Sequence, residues 1–526
     1  MVLRNRPLYS SLNLDNVRRY VERNTHPEGA EEEKKIMVEM LWEHPTANLN
    51  SCLIRMLLGS KNHTSAFALT EYGETCLVQT IAHAFDISRF VGVYRFLDLK
   101  NHIRAITGTL SFSLSANYRI DKGISLEVGG QEIGDLVYDE YLRLTSRPTA
   151  RKPDLMYFAL IYNSLYRYYR YREIINVNDV TDIVMTHDVY AKFGLVIKAA
   201  ASLDRNIRIW TTAYTKPISI ASNPADKKFI YKVQYYRKEY EALIKKNKTE
   251  QEIDQEFQVA FGNRMGARDA NQIDVGFVYA NNEINTVDQF KESFGTDGKG
   301  KIFIMTHAFV DAVRYPLWQN YSDNYVWLRE TLIMLAERSK VEEVYVKPHP
   351  SEPLYPCGVT VKEVVEEING SLGAGFIYLE KKVHNSAIFE LAKVIITSHG
   401  TVGIEAPCLG VKVIAASSCQ HEESGTNYQA RSVTEYKALL DDIDNLPDLT
   451  PEQILSAKIA FLWFNKYVFA DTPLLPGLSR YDDVDRAEAY SKINGAFELA
   501  EPIENHEIYR AFTEMIDRGH HDLVCL

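Results

Sequence analysis

Two short β-branched runs constrain this chain more than any other feature. Val344-Tyr345-Val346 passes into Lys347-Pro348-His349-Pro350, and Val394-Ile395-Ile396 into Thr397-Ser398-His399-Gly400-Thr401-Val402-Gly403-Ile404-Glu405. Brief apolar runs bounded by Pro, Gly, Ser and Thr read as strands buried on both faces. Such burial belongs to parallel sheets, whose crossovers cover both sides. The Ser398-His399-Gly400-Thr401 turn opens a helix, so backbone N–H groups and the positive end of the dipole face whatever lies in the cleft. Two such loops at neighbouring strand ends make a site for a nucleotide monophosphate or diphosphate.

The rest of the chain carries the same alternation. Thr181–Thr186 reads as a strand, Val189–Ala201 as a helix and Asn206–Trp210 as the next parallel strand, which is one βαβ unit. A second series runs through the strand Ile302–Met305, the helix Tyr325–Arg338, the strands Val344–Val346 and Ile377–Leu379, and the helix Ala387–Ala392. It closes with the strands Val394–Ile396 and Val411–Ala415. This alternation predicts α/β architecture, with two Rossmann-like doubly wound domains facing each other across a cleft and the ligand at the carboxyl ends of the strands. We place a helical N-terminal segment at 1–64, an acceptor domain at 65–285 and a linker at 286–300. A nucleotide-sugar donor domain follows at 301–450, then C-terminal helices at 451–526 that pack back across both domains. The run Glu31-Glu32-Glu33-Lys34-Lys35 reads as a solvated helix face.

At 526 residues the chain exceeds a single core. Its net charge of −11 argues against a general nucleic-acid binder. Six scattered cysteines without a CxxC pair fit a reducing compartment. No window approaches the roughly 20 apolar residues of a membrane span. The expectation is a cytoplasmic protein whose membrane contact, at the inner face, is peripheral. GxxxxGK[ST], HExxH and GxSxG elements are missing from the sequence, which lowers NTPase, zincin and α/β-hydrolase readings.

His349 is held between two prolines just past a strand end, with Lys347 close by, as a group that donates to a phosphate would be. Ser398, His399, Gly400 and Thr401 let backbone and hydroxyls approach an anion, and Glu405, one turn on, is placed to accept from ribose hydroxyls. Each of these also has a plain structural reading: a turn histidine, an N-cap serine, and a glutamate favoured by the helix dipole. His307 follows the first strand of the second domain, and His187-Asp188 takes the equivalent place in the first. Histidine and carboxylate from opposite walls suit group transfer. Asp135 and Asp139 share a helix face in Ile133–Arg143, where Tyr138 and Arg143 complete a candidate acceptor surface or base. The Tyr/Arg run Asn163–Arg172 and the basic stretch Lys227–Lys248 read as amphipathic helices, with an anionic glycan or phospholipid surface as the alternative.

With these residues in place, the chain resembles GT-B glycosyltransferases of bacterial capsule and surface-polysaccharide synthesis. Lys347-Pro348-His349-Pro350 resembles the His-Pro motif of the CMP-sugar-using sialyl-, polysialyl- and Kdo-transferases, and Ser398-His399-Gly400-Thr401 their second Ser/Thr motif. The segments Ile133–Arg143 and Thr186-His187-Asp188-Val189-Tyr190 are similar, less specifically, to parts of capsule-synthesis proteins. The family's acidic Asp/Glu-Asp/Glu-Gly motif has no counterpart here, and the Gly-Thr-x-x-x-Glu ending equally resembles UDP-sugar enzymes.

The resemblance implies an inverting enzyme that moves a sugar, such as Kdo or sialic acid, from a nucleotide donor to a surface polysaccharide or lipid-linked glycan, with no metal or other cofactor. Lys347, His349, Pro350, Ser398, His399, Gly400, Thr401 and Glu405 would bind the donor. His187, Asp188, Asp139 and His307 are the catalytic candidates, and Asp135, Tyr138 and Arg143 the acceptor contacts. The rival readings are a CDP-polyol phosphotransferase of the teichoic-acid type, a UDP-sugar transferase or epimerase, and a glycan-binding scaffold without activity.

Overall fold

The computed structural model describes residues 14–25, 33–42, 45–72, 76–95, 97–115, 124–212, 218–225, 236–266, 281–296, 300–338, 343–470, 472–475 and 486–526. Two six-stranded sheets dominate it. The first comprises β1 (Glu33–Glu39), β2 (His63–Thr70), β3 (Arg89–Gly92), β6 (Asp182–Met185), β7 (Arg208–Thr212) and β8 (Ile220–Pro224), in the order β3-β2-β1-β6-β7-β8. The second comprises β9 (Lys301–Met305), β10 (Val344–Lys347), β11 (Ile377–Tyr378), β12 (Ala392–Thr397), β13 (Lys412–Ala415) and β14 (Tyr428–Gln429), in the order β11-β10-β9-β12-β13-β14. All pairings are parallel except β7 with β8. A short hairpin, β4 (Glu127–Val128) with β5 (Gln131–Glu132), lies outside both sheets. Each sheet repeats the doubly wound order in which three strands run one way from the centre and three the other.

The core follows the sequence pattern. Ile302, Phe303, Ile304, Tyr345, Val346, Ile395 and Ile396 are all fully buried, as strands covered by helices on both faces must be. Their neighbours include the helices Asn324–Ala336, capped by Asp323, and Val361–Leu372, closed by a Thr360/Glu363 capping box.

Two expectations change. The segment 1–64, expected to be helical, contains β1 at the centre of the first sheet. Ile36, Met37 and Val38 are fully buried. The charged residues before them lie only at the strand's amino end, where Lys34 meets Asp182 at 3.7 Å and Lys35 meets Asp179 at 3.5 Å. The stretch 286–300, expected to be a linker, carries the helix Val287–Phe294 with a Thr286/Gln289 capping box, and Phe290 is buried against Phe303 and Tyr345. Its residues 297–299 lie outside the described ones.

Near the C-terminus the helix Pro451–Leu462 packs with Tyr240, Phe257 and Ile404. Phe497, Ile508 and Phe512 pack with the core of the first sheet. The run Asn163–Arg172 falls in the helix Leu155–Val177, where Tyr166, Arg167, Arg170 and Tyr171 are buried and turned inward. Of Lys227–Lys248, residues 227–235 lie outside the described ones. Among the described residues, no helix is long and apolar enough to cross a membrane.

Candidate functional site

In a doubly wound sheet the crevice lies beyond the carboxyl ends of the strands, where the strand order reverses. In the second sheet that point is between β9 and β12. The loop after β9 carries His307, the loop after β10 His349 and the loop after β12 His399, and the three imidazoles form a ladder. His307 stacks on His399 with centroids 3.9 Å apart and on His349 at 5.7 Å, the planes 14° and 18° from parallel. The Ser351 N–H donates to His349 Nδ1 at 3.2 Å, which puts that ring's proton on Nε2. His307 Nε2 is buried and has no hydrogen-bond partner among the described residues. A Cβ on Gly400 would come within 3.3 Å of that nitrogen and 3.0 Å of Thr397 Oγ1, so glycine is what lets the backbone pass so close. Burial first, then the neighbouring His399 and His349, hold His307 well below the ordinary histidine pKa.

A cavity of about 410 Å³ opens over this ladder, within the range of small-molecule sites. His307, His349, His399, Gly400, Thr401 and Asp311 all line it. Among the described residues, no group of three or more His, Cys, Asp or Glu is placed to hold a metal ion.

The structure puts most of the expected donor set on this cavity and alters some roles. Lys347, Pro350 and Glu405 line it; Ser398 sits behind, buried, 3.2 Å from Ser417 Oγ. The Lys347 ammonium donates to the Val383 carbonyl at 2.7 Å and to the Asn385 side-chain oxygen. Burial pushes its pKa down to about 7. Glu405 accepts from Arg264 Nε at 2.8 Å and from Asn385 Nδ2 at 3.3 Å. Its carboxylate is thus held in place at the cavity wall by two donors. Thr401, not Ser398, is the N-cap, and the helix it opens is the single turn Val402–Glu405. So short a helix has a weak dipole.

The opposite wall departs further from expectation. His187, at the reversal point of the first sheet, stacks on Trp42 at 5.7 Å and meets Phe193 edge-on at 4.9 Å. Burial pushes its pKa down to about 4, so it sits in an aromatic box as a neutral ring. Asp188 is buried near Tyr315, whose hydroxyl pKa is pushed up first by burial and then by the Asp188 charge. Asp139 is buried and accepts the Arg314 N–H at 2.9 Å, and burial raises its pKa well above the carboxylate range. It ties the helix Gly134–Thr145 to the loop carrying Arg314, and it does not line the cavity. Asp135 accepts from its neighbour Leu136 N–H at 2.9 Å, burial raising its pKa. Tyr138 donates to Asp323 at 2.7 Å. Thus Asp135 and Tyr138 belong to the packed contact of the helix Gly134–Thr145, and neither lines the cavity.

Arg143 leads to a residue the sequence reading missed. It lies 3.6 Å from Asp311 and 4.2 Å over the Tyr355 ring. Asp311, on the cavity wall, also accepts from the Tyr190 hydroxyl at 2.8 Å. Tyr190 holds a left-handed backbone, φ 61°, an uncommon conformation for so bulky a residue. Side chains of both domains therefore converge on one carboxylate, four residues beyond His307. A second missed feature is a stack at the ends of β2 and β3. Tyr72 lies on Tyr94 at 5.3 Å, Tyr94 on Tyr166 at 5.6 Å and Tyr166 on His102 at 4.5 Å. Tyr72 is 82% exposed.

No protein-family model matches the chain, and no curated protein sequence matches it. Among solved structures, the chain is similar to the Thermosulfurimonas dismutans KpsC β-Kdo 2,7 transferase (12% identity, 62% of this chain, 89% of that one, TM-score 0.33). It is similar as well to the β-Kdo 2,4 transferase of the same source (11%, 53%, 79%, 0.32). A third is the Methanocaldococcus jannaschii UDP-GlcNAc 2-epimerase in complex with UDP-GlcNAc and UDP (10%, 82%, 99%, 0.28). Overlap of this kind is looser than a shared fold requires, so the architecture rests on the strand order itself.

The buried histidines set an acid limit on stability. Burial lowers His187 to about 4 and His421 to about 3, against about 6.5 in the unfolded chain. Between those values these two rings bind more protons in the unfolded state, so their contribution to stability rises with pH and levels off above about 6.5. The buried carboxyls Asp135 and Asp139, raised by burial, contribute with the opposite sign, so the test is a difference: on acidification through this range the wild type should lose more melting temperature than His421→Gln. An equal loss in the two would contradict the assignment.

Proposed function

We propose that the chain is a nucleotide-sugar-dependent glycosyltransferase of the inverting kind, with the donor nucleotide, CMP favoured, over the second sheet and a glycan acceptor against the first. One observation carries the reading: a buried, unpartnered His307 Nε2 lies between two stacked imidazoles and beside the Gly400 backbone, in a cavity at the strand-order reversal. An anion held there would meet imidazole N–H groups as its charge grows.

In the step itself the acceptor oxygen bonds to the anomeric carbon. The bond from that carbon to the phosphate oxygen breaks, its electron pair leaves with the nucleotide, and the acceptor proton passes to a carboxylate. Asp311 is the carboxylate of choice, since it faces the cavity and is held by Tyr190 from the other domain. Asp311→Asn should lower turnover on the order of a hundredfold or more while nucleotide binding persists; unchanged turnover would remove Asp311 from the reaction. The exposed Tyr72, backed by Tyr94, suits the apolar face of a sugar ring.

Incubation with candidate donors and a glycan acceptor tests the whole. Released CMP with transferred sugar supports the proposal. Transfer of a polyol phosphate would make the chain a phosphotransferase, and conversion of the donor without acceptor an epimerase. A chain that binds no nucleotide would be a glycan-binding scaffold.

A further inference from the structure

The helix Leu99–Ser115 inverts the usual arrangement of a surface helix. Such helices turn their apolar stripe to the core and their polar face to water. Here Asn101, Ala105 and Phe112 face inward, and Gly108 lies against Leu165 of the helix Leu155–Val177. On the opposite side Leu99, Ile103, Ile106, Leu110 and Leu114 form a second stripe at helical spacing, each between 48 and 84% exposed. Leu97, just before the helix, is 88% exposed. Phe112 packs on Phe158 at 6.5 Å, which brings the far end of the stripe towards Leu155 and Met156, both exposed as well.

Charge decides what fits this ridge. The helix contains Lys100 and Arg104 and no acidic residue, in a chain of net charge −11. Arg95 precedes it, and Arg151 and Lys152 precede the neighbouring helix. Among the described residues, the neighbouring acidic side chains Asp98, Glu173 and Asp154 each have polar partners. Asp98 bonds Asn101, Glu173 bonds Asn101 and Arg170, and Asp154 bonds Arg147 and Tyr141. An apolar ridge flanked by Thr107, Ser111 and basic groups matches a helix lying in the headgroup boundary of an anionic bilayer.

We infer that this helix seats the protein on an anionic lipid surface. The helix follows β3 directly and so begins at the carboxyl edge of the first sheet, on the side where the tyrosine stack runs. Seating would bring that edge of the cleft to the bilayer. The inference is independent of the reaction assigned above and stands or falls on binding alone.

Sedimentation of the full chain with phosphatidylcholine vesicles, with and without phosphatidylglycerol, tests it. The expected result is binding to the anionic vesicles that weakens with salt. Ile103→Glu/Leu110→Glu, both solvent-facing, should reduce it on the order of tenfold or more at an unchanged melting temperature. Failure to bind anionic vesicles, or binding indifferent to the substitutions, would overturn the inference. So would a wild-type dimer, seen by light scattering, that the same substitutions dissolve, since the ridge would then be covered by a second copy.

Discussion

His349→Ala should lower turnover on the order of a hundredfold, the usual cost of removing one preorganised donor to developing charge, while the melting temperature holds. The ring is only half-buried, and its Nδ1 is fixed by Ser351, so that Nε2 carries the proton at the cavity. Its removal empties one rung of the ladder and leaves His307 with a single stacked neighbour. Steady-state kinetics with a melting curve separates the outcomes. Loss of turnover in a folded protein supports the role, and near-normal turnover would contradict it. His349→Asn, which keeps a side-chain donor, should recover part of the loss.

Arg264→Ala should be the most damaging single change to stability, at about 3–5 kcal/mol, the range for breaking a buried ion pair from one side. The Arg264–Glu405 pair is 2.8 Å long, with side chains only 12% and 3% exposed. Without the guanidinium, Glu405 keeps Asn385 and the more distant Lys347 ammonium, which cannot replace a charge in direct contact. Urea denaturation reads the loss. The added substitution Glu405→Gln should restore much of it, because the orphaned charge is then gone. Equal stability of the single and double variants would show that packing, not charge, is lost.

The second sheet was legible because its strands are continuous apolar runs ending in punctuation. Ile302–Met305, Val344–Val346 and Val394–Ile396 match β9, β10 and β12 closely. The first sheet was harder. β1 hid behind Glu33-Lys34-Lys35, and β2 begins with the polar His63-Thr64-Ser65, whose side chains emerge at the strand's entry. For the site, the sequence placed His349 and His399 at strand ends, and parallel strand order makes such ends neighbours. It could not reveal where side chains turn. Lys347 points to Val383 and Glu405 to Arg264, partners distant in sequence. Asp311 gains its place from Tyr190 and Arg143, which only the docking of the two domains brings near. The contact of Asp139 with the Arg314 N–H is likewise tertiary.

Calorimetric titration of CMP, CDP, UDP and GDP into the wild type and Gly400→Val is the most direct test of the histidine ladder as a nucleotide site. One nucleotide should bind the wild type at a single site, and Gly400→Val should lose it, since a side chain there crowds His307 Nε2 and Thr397. Absence of binding to the folded wild type, or equal affinity in the variant, would contradict that role for the ladder.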